Sequence, residues 1–246
     1  MNKEDFIFGH RAIIEAIEAG KDIDKVLLRK DLGGELAKDL TVKIKEYGIV
    51  SQKVPVEKLN RITRKNHQGA IALMSAVGYD SLENLVPRLY EEGRNPFLVV
   101  LDGVTDTRNF GAIARTALCA GADAVVIPRR GSAGATPDAM KTSAGALVHL
   151  PVCRERDILS AVRFLHDNGY RVVAATEKGA KDYTKVDFTV PVAIVMGAEE
   201  TGISQEVLRV CDDLAAIPIA GQVGSLNVSV AAGVMMYEVV KQRSGL

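Results

Sequence analysis

Neither a paired set of cysteines nor an excess of charge marks this sequence. Its three cysteines, Cys119, Cys153 and Cys211, are scattered, with no CxxC and no metal-ligand spacing beside the four histidines. That excludes a disulfide framework or a zinc ribbon and fits reduced thiols in a cytosolic protein. Lysine and arginine total 31 against 31 aspartates and glutamates, so no global field announces a nucleic-acid partner. A balanced total can still hide a local basic face. No apolar run approaches the ~20 residues that span a bilayer, and Met1–Phe8 is too acidic and polar for a secretory leader. A cytoplasmic chain with no membrane contact and no bound metal is expected. Also missing are GxGxxG, GxxxxGK[ST] and GxSxG, which removes the main support for nicotinamide, P-loop and hydrolase readings.

What is present centres on Asn95–Pro128, NPFLVVLDGVTDTRNFGAIARTALCAGADAVVIP. FLVVLD is a short apolar run of the kind found in a strand buried on both faces. GVTDTRNFG is turn-rich, and Asn109 is a candidate N-cap because its side-chain oxygen can accept an orphan helix N–H. From Phe110, apolar positions 110, 113, 114, 117 and 118 form one helical stripe that Gly121 ends. AVVIP is the next strand. Strand, crossover helix and strand in about thirty residues make a βαβ unit and a parallel sheet. Asp102, Asp106, Arg108 and Asn109 gather beyond a strand's carboxyl end, where open α/β sheets place their sites. Arg115 turns off the apolar stripe, as a solvated residue or a functional one.

At 246 residues the chain holds one large or two small domains. Residues 1–77 alternate helices (IFGHRAIIEAIEAG, GELAKDLTVKIKEYG, VEKLNRIT) with strands (DKVLLRK, IVSQKVP, GAIALMSAV), as in a small α/β sandwich. Arg61, Arg64 and Lys65, with Asn66 and His67, make a basic polar loop. His10 and Arg11 join it if the first helix lies close. Such a loop is either a solvated surface or a contact for an RNA phosphate backbone. Residues 78–95 are charged, amphipathic and closed by Gly and Pro, which reads as a linker helix. Residues 96–246 form the second domain, with strands expected at 148–152, RVVAAT, VAIVMG and LAAIPIA. Helices are expected around 136–145, 157–168 and 204–213, and over VSVAAGVMMYEVVKQR. Three of its loops, GVTDTRNFG, GAEETGIS and AGQVGSLNVS, carry glycine and polar groups at strand ends, where glycine lets the backbone approach a ligand. Of the carboxylates, Glu199 stands best placed for acid or base work, unless it caps the helix after Ser204 or pairs with a cation.

NFGAIAR (Asn109–Arg115), MGAEETGIS (Met196–Ser204) and IPIAGQVGSLNVSVAAG (Ile217–Gly233) resemble, in order, the three motifs of the SpoU/TrmH-type RNA 2′-O-ribose methyltransferases of the SPOUT superfamily. The N-terminal segment resembles the L7Ae/L30e-like substrate-binding domain of some members. The two-domain layout is most like the subgroup that methylates a guanosine of bacterial 23S ribosomal RNA. The resemblance implies an α/β fold with a parallel-sheet methyltransferase domain tied in a trefoil knot, a homodimer, and S-adenosyl-L-methionine as cofactor. By motif position it places Thr176, Gly197, Ile217 and Leu226 at the cofactor. It gives Asn109, Arg115, Glu199, Ser225 and Asn227 catalytic and RNA-orienting roles. A ribose hydroxyl needs a base or stabilisation of its developing charge. Arginine is in practice never neutral near pH 7, so Arg115 is expected to stabilise the alkoxide while Glu199 or water takes the proton. A transfer-RNA substrate and a non-catalytic, RNA-binding ribosome-assembly protein remain as alternatives.

Overall fold

The computed structural model describes residues 6–178 and 181–244; residues 1–5, which begin the segment read above for a leader, lie outside the described residues. The chain divides into two compact units, Met1–Gly78 with Gly134–Pro137, and Tyr79–Ala133 with Asp138–Leu246.

The first unit runs β1 (Phe6–Phe8), α1 (His10–Glu18), β2 (Ile23–Arg29), α2 (Glu35–Glu46), β3 (Ser51–Val54), α3 (Val56–Ile62) and β4 (Ala70–Met74). The sheet order is β1-β4-β2-β3, with β2 and β3 parallel and the β4 pairings antiparallel. Alternation along β2 buries both faces. Val26 and Leu28 meet Ile13 and Ile17 of α1 and Leu40 and Ile44 of α2, while Leu27 meets Leu59 of α3 on the other side. Each such aliphatic contributes ~1.5–3 kcal/mol of burial. The expected first helix is shorter than the sequence suggests. Ile7 and Phe8 pair with β4, and Gly9, at φ 89°, turns the chain into the helix.

The second unit continues with β5 (Tyr79–Asp80), α4 (Leu82–Glu91), β6 (Phe97–Asp102), α5 (Thr107–Cys119), β7 (Ala124–Pro128), α6 (Pro137–Thr142, from Asp138 on) and β8 (Val152–Glu155). Then come α7 (Ile158–Asp167), β9 (Arg171–Ala175), β10 (Lys181–Asp182), β11 (Val192–Gly197), α8 (Gln205–Leu208), β12 (Asp213–Ala216) and α9 (Val228–Ser244). The eight strands among its described residues are all parallel, in the order β10-β12-β9-β11-β6-β7-β8-β5. Leu98 and Val100 of β6 join the cluster under α4 and α7, and alternation sends Phe97, Val99 and Leu101 to the other face. There α5 and α9 pack together.

Residues 78–95 are not a linker. Tyr79 and Asp80 add an edge strand beside Val152 and Cys153, and Leu82, Leu85, Val86 and Leu89 lie in the core. The strand expected at 148–152 starts at Val152 instead, because Ala146–Val148 closes as a 3-10 turn after Gly145 in the left-handed region. The helix expected at 204–213 ends at Leu208, and Asp213 already pairs with β9. At the far end, the Arg243 guanidinium donates to the carbonyls of Asn95, Pro96, Val190 and Phe188 at 2.6–3.2 Å, fastening α9 to the start of β6. Among the described residues no helix is long and apolar enough to cross a membrane.

Candidate active site

Parallel pairing of β9, β11 and β6 brings their carboxyl ends, and therefore the loops after them, to one edge of the sheet. The loop after β6 enters α5 through Asp106, whose Oδ1 accepts the backbone N–H groups of Arg108 (2.7 Å) and Asn109 (2.9 Å). Asp106, rather than Asn109, is thus the N-cap, and α5 begins three residues before Phe110. That frees the Asn109 side chain within the first turn. Phe110, Ile113, Ala114 and Ala117 of the stripe are fully buried, whereas Leu118 is partly exposed. Gly111 lets α6 approach closely, since a Cβ there would lie 2.7 Å from the Thr142 side chain and 2.9 Å from the Ala139 carbonyl.

The loop after β11 is held by two devices. Ala198 and Gly202 form a reciprocal backbone bridge (3.2 and 2.9 Å), and Asp102 accepts the Ser204 N–H at 2.8 Å. A Cβ on Gly197 would meet the Gly202 carbonyl carbon at 2.2 Å and the Ile203 nitrogen at 2.3 Å, so only glycine fits the bridge. Glu199 sits at its turn. It neither caps α8 nor pairs with a cation among the described residues; its partners are two amides.

Asn109 Nδ2 donates to Glu199 Oε1 at 3.1 Å, and Asn227 Nδ2 donates to the same oxygen in a shorter contact. Asn227 Nδ2 also donates to Asn109 Oδ1 at 3.1 Å. The Asn227 amide orientation follows from its other end, where Oδ1 accepts the Ser229 N–H (2.9 Å) and hydroxyl (2.6 Å) and so caps α9. One residue therefore starts the last helix and aims a donor at Glu199. The second carboxylate oxygen, Oε2, has no hydrogen-bond partner among the described residues.

Two cavities meet at this network. A cleft of about 360 Å³ opens between the loops after β9, β11 and β12, and Thr176, Gly197, Ile217, Leu226, Glu199 and Ser225 all line it. The sequence argument gave no role to Ile203 and Ile219, although both lie within its motifs, nor to Glu177 and Lys178, which carry none; all four complete the wall. A second cavity, about 230 Å³, lies between the loops after β6 and β11, bounded by Val104, Asp106, Asn109, Glu199 and Glu200. Glu199 belongs to both walls.

Arg115 lines neither cavity. It lies exposed on α5, one helical turn from Leu118. In the first unit, Arg11, Arg61, Arg64 and Lys65 are exposed, with no side-chain partner among the described residues. His10 is different. It is 8 % exposed, with burial holding its pKa below the usual histidine value, so it is a neutral packing residue rather than a cationic contact. His67 is buried too: Nδ1 accepts the Gly69 N–H at 3.0 Å, so Nε2 carries the proton toward Asn60 Oδ1 at 2.9 Å. No grouping of three or more metal-ligating side chains occurs among the described residues.

Residues 96–237 match the family model of the SpoU rRNA Methylase family, and residues 6–79 match that for RNA 2′-O ribose methyltransferase substrate binding. YacO of Bacillus subtilis, named for the TrmH family of tRNA/rRNA methyltransferases, is 34% identical over 242 residues, covering 98% of this chain and 97% of that one. A protein of the same family name from Staphylococcus haemolyticus is 36% identical over 237 residues, 96% of this chain and 95% of its own. Among solved structures, the AdoMet-bound rRNA methyltransferase of Sinorhizobium meliloti superposes with a TM-score of 0.62 at 27% identity, covering 95% of this chain and 85% of that one. The SpoU methyltransferase AviRb of Streptomyces viridochromogenes, in complex with AdoMet, gives 0.60 at 25% identity, over 98% and 91% of the two chains.

Proposed function

This chain belongs to the SpoU methylase family of RNA methyltransferases that use S-adenosyl-L-methionine, and from that premise we propose that it methylates the ribose 2′-hydroxyl of a guanosine in 23S ribosomal RNA. The observation that carries the methyl-transfer reading is the Asn109–Glu199–Asn227 network at the meeting of the two cavities; the choice of a 23S guanosine rests on the resemblance of the two-domain layout.

The larger cleft suits S-adenosyl-L-methionine. Ile203, Ile217, Ile219 and Leu226 offer an apolar wall for an adenine ring, while Thr176, Glu177 and Ser225 supply polar groups for a ribose and an amino-acid tail. When bound, the cofactor supplies a methyl group already activated on sulfonium sulfur. The protein's tasks are to align the hydroxyl and remove its proton. Glu199 Oε1 is fixed by both amides, which leaves Oε2 to accept the proton of the ribose hydroxyl. Asn109 and Asn227 hold that carboxylate in place, and Ser225 borders the cofactor.

Arg115 keeps its assigned part as the cation that steadies the alkoxide and grips a phosphate. Its place on α5 beside the partly exposed Leu118, with Val230 and Tyr237 exposed on the neighbouring α9, supports a homodimer formed on this face and Arg115 acting at the subunit boundary. Arg115→Lys should cut turnover at saturating RNA at least tenfold, because lysine cannot supply the planar fork; parental turnover would remove Arg115 from the mechanism. Arg11, Arg61, Arg64 and Lys65 are the RNA contacts of the first unit in this reading.

The test maps 2′-O-methyl sites across ribosomal and transfer RNA from cells with and without the gene. Loss of one guanosine methylation in 23S RNA supports the proposal. A loss confined to transfer RNA would assign the other substrate. Unchanged maps from a protein that still binds S-adenosyl-L-methionine would leave an RNA-binding role without catalysis.

A further inference from the structure

The smaller cavity has an unusual wall for an enzyme that handles RNA. Asp106, Glu199 and Glu200 line it, and among the described residues no lysine, arginine or histidine does. Such a wall repels a phosphate and leaves room for the uncharged part of a nucleotide. The phosphates on either side must then be held elsewhere, close by.

The neighbouring loop supplies the charge. Register sets Val100 of β6 opposite Val126 of β7, so the two strands end side by side at Asp102 and Pro128. Arg129 and Arg130 follow at once. Their loop is clasped to the cavity wall, because Ala133 N–H donates to the Val104 carbonyl at 2.9 Å and the Ser132 hydroxyl donates to it at 3.4 Å. Val104 itself lines the cavity. Arg108 stands on the same edge, in the first turn of α5. All three arginines are exposed, and none has a carboxylate partner among the described residues. The acids of this edge lie on the cavity side instead. In a chain with 31 charges of each sign, three unneutralised guanidinium groups beside an acidic hollow make a local dipole.

We infer that Arg108, Arg129 and Arg130 form a phosphate-binding rim that holds the RNA backbone next to the target nucleotide, while the acidic cavity beside them receives its nucleoside. The inference rests on the RNA methyltransferase reading but not on which RNA is the substrate. Guanidinium groups suit phosphate oxygens because their paired N–H donors match the anion's geometry.

The test uses the full chain and total RNA from cells lacking the gene. It compares the parent with Arg129→Ala/Arg130→Ala, Arg108→Ala, the Arg129→Lys/Arg130→Lys pair, and Arg163→Ala from the middle of α7 as a control. For the double alanine variant, KM for RNA should rise at least tenfold, with turnover at saturating RNA within about twofold of the parent. The slope of log affinity against log salt, read by filter retention, should fall by between about 1 and 2, as expected for two lost phosphate contacts. Arg108→Ala should show a smaller change in the same direction. The lysine pair should keep the salt slope, since it keeps the charge. S-adenosyl-L-methionine affinity, by calorimetry, should not move in any variant. An unaltered KM and slope in the double variant, or an equal effect from Arg163→Ala, would overturn the rim. A parent that binds RNA with the expected slope yet transfers no methyl would overturn the reaction instead.

Discussion

Asn227 offers a perturbation that separates stability from turnover, because its two ends do different work. Oδ1 caps α9 through Ser229, and Nδ2 donates to Glu199 and Asn109. Asn227→Ala removes both. Loss of an N-cap costs about 1 kcal/mol, and for a domain of this size 1 kcal/mol lowers Tm by about 2–4 °C. Asn227→Asp keeps the cap acceptor but turns the donor into a second carboxylate facing Glu199. Repulsion between two water-exposed carboxylates is about 1 kcal/mol. Attraction of the new charge to the helix N-terminus offsets it by about 0.3–1 kcal/mol. Thermal stability of the aspartate variant should therefore stay within about 2 °C of the parent. Turnover should not. A hydrogen bond to a charged group is worth about 1.5–3 kcal/mol when shielded and less when exposed. Taking the low end, loss of the Glu199 contact should cut methyl transfer about tenfold. The assays are calorimetric unfolding and transfer of labelled methyl to RNA at saturating substrate. Parental turnover in Asn227→Asp would sink the view that the amide positions Glu199. A Tm drop equal to that of the alanine variant would sink the assignment of Oδ1 as the cap.

Three further outcomes follow from the same geometry. Gly197→Ala forces a Cβ against backbone atoms 2.2 and 2.3 Å away, so the bridge must open; titration calorimetry should show S-adenosyl-L-methionine affinity reduced at least tenfold, with about 1–3 kcal/mol of stability lost to the overpacked contact. Arg243→Ala removes the donor to four carbonyls ahead of β6 and β11 and should cost about 2–4 kcal/mol in urea unfolding, with cofactor affinity close to the parent. Asp213 is buried, which would raise its pKa, but Lys181 at 2.6 Å and Arg171 at 2.8 Å hold it below the ordinary aspartate value. A depressed folded pKa gives stability that is present above the unfolded value near 3.8 and disappears as pH falls through the folded one. Asp213→Asn should be less stable at pH 7 and lose less on acidification than the parent; equal losses would show that the pair contributes nothing.

Much of the second unit was legible because its signals are local. FLVVLD, AVVIP and VAIVMG are uniform apolar runs, and such runs suit strands covered on both faces, which implies parallel pairing under crossover helices. Glycine and polar clusters after β6, β11 and β12 marked loops that line the two cavities. His10 misled for the converse reason. A histidine beside an arginine at a helix start looks like a cationic contact, and only the packing of α1 against the sheet makes it buried and neutral.

By itself, then, the sequence determined the layered α/β character, the elements with long periodic patterns, and the residue types gathered at the strand ends. Tertiary structure decided which of those residues meet. Asn109 and Asn227 are 118 positions apart and reach one carboxylate oxygen because parallel strands deliver their loops to the same edge. Pairing across the sheet also made residues 79–80 a strand, since two residues carry no period and the edge of β8 offered open backbone partners. The asparagine cap moved to Asp106 for a similar reason: either side chain could cap, and Glu199, from another loop, engages Asn109. Propensity acts within a few residues, whereas hydrogen-bond satisfaction is settled across the whole fold.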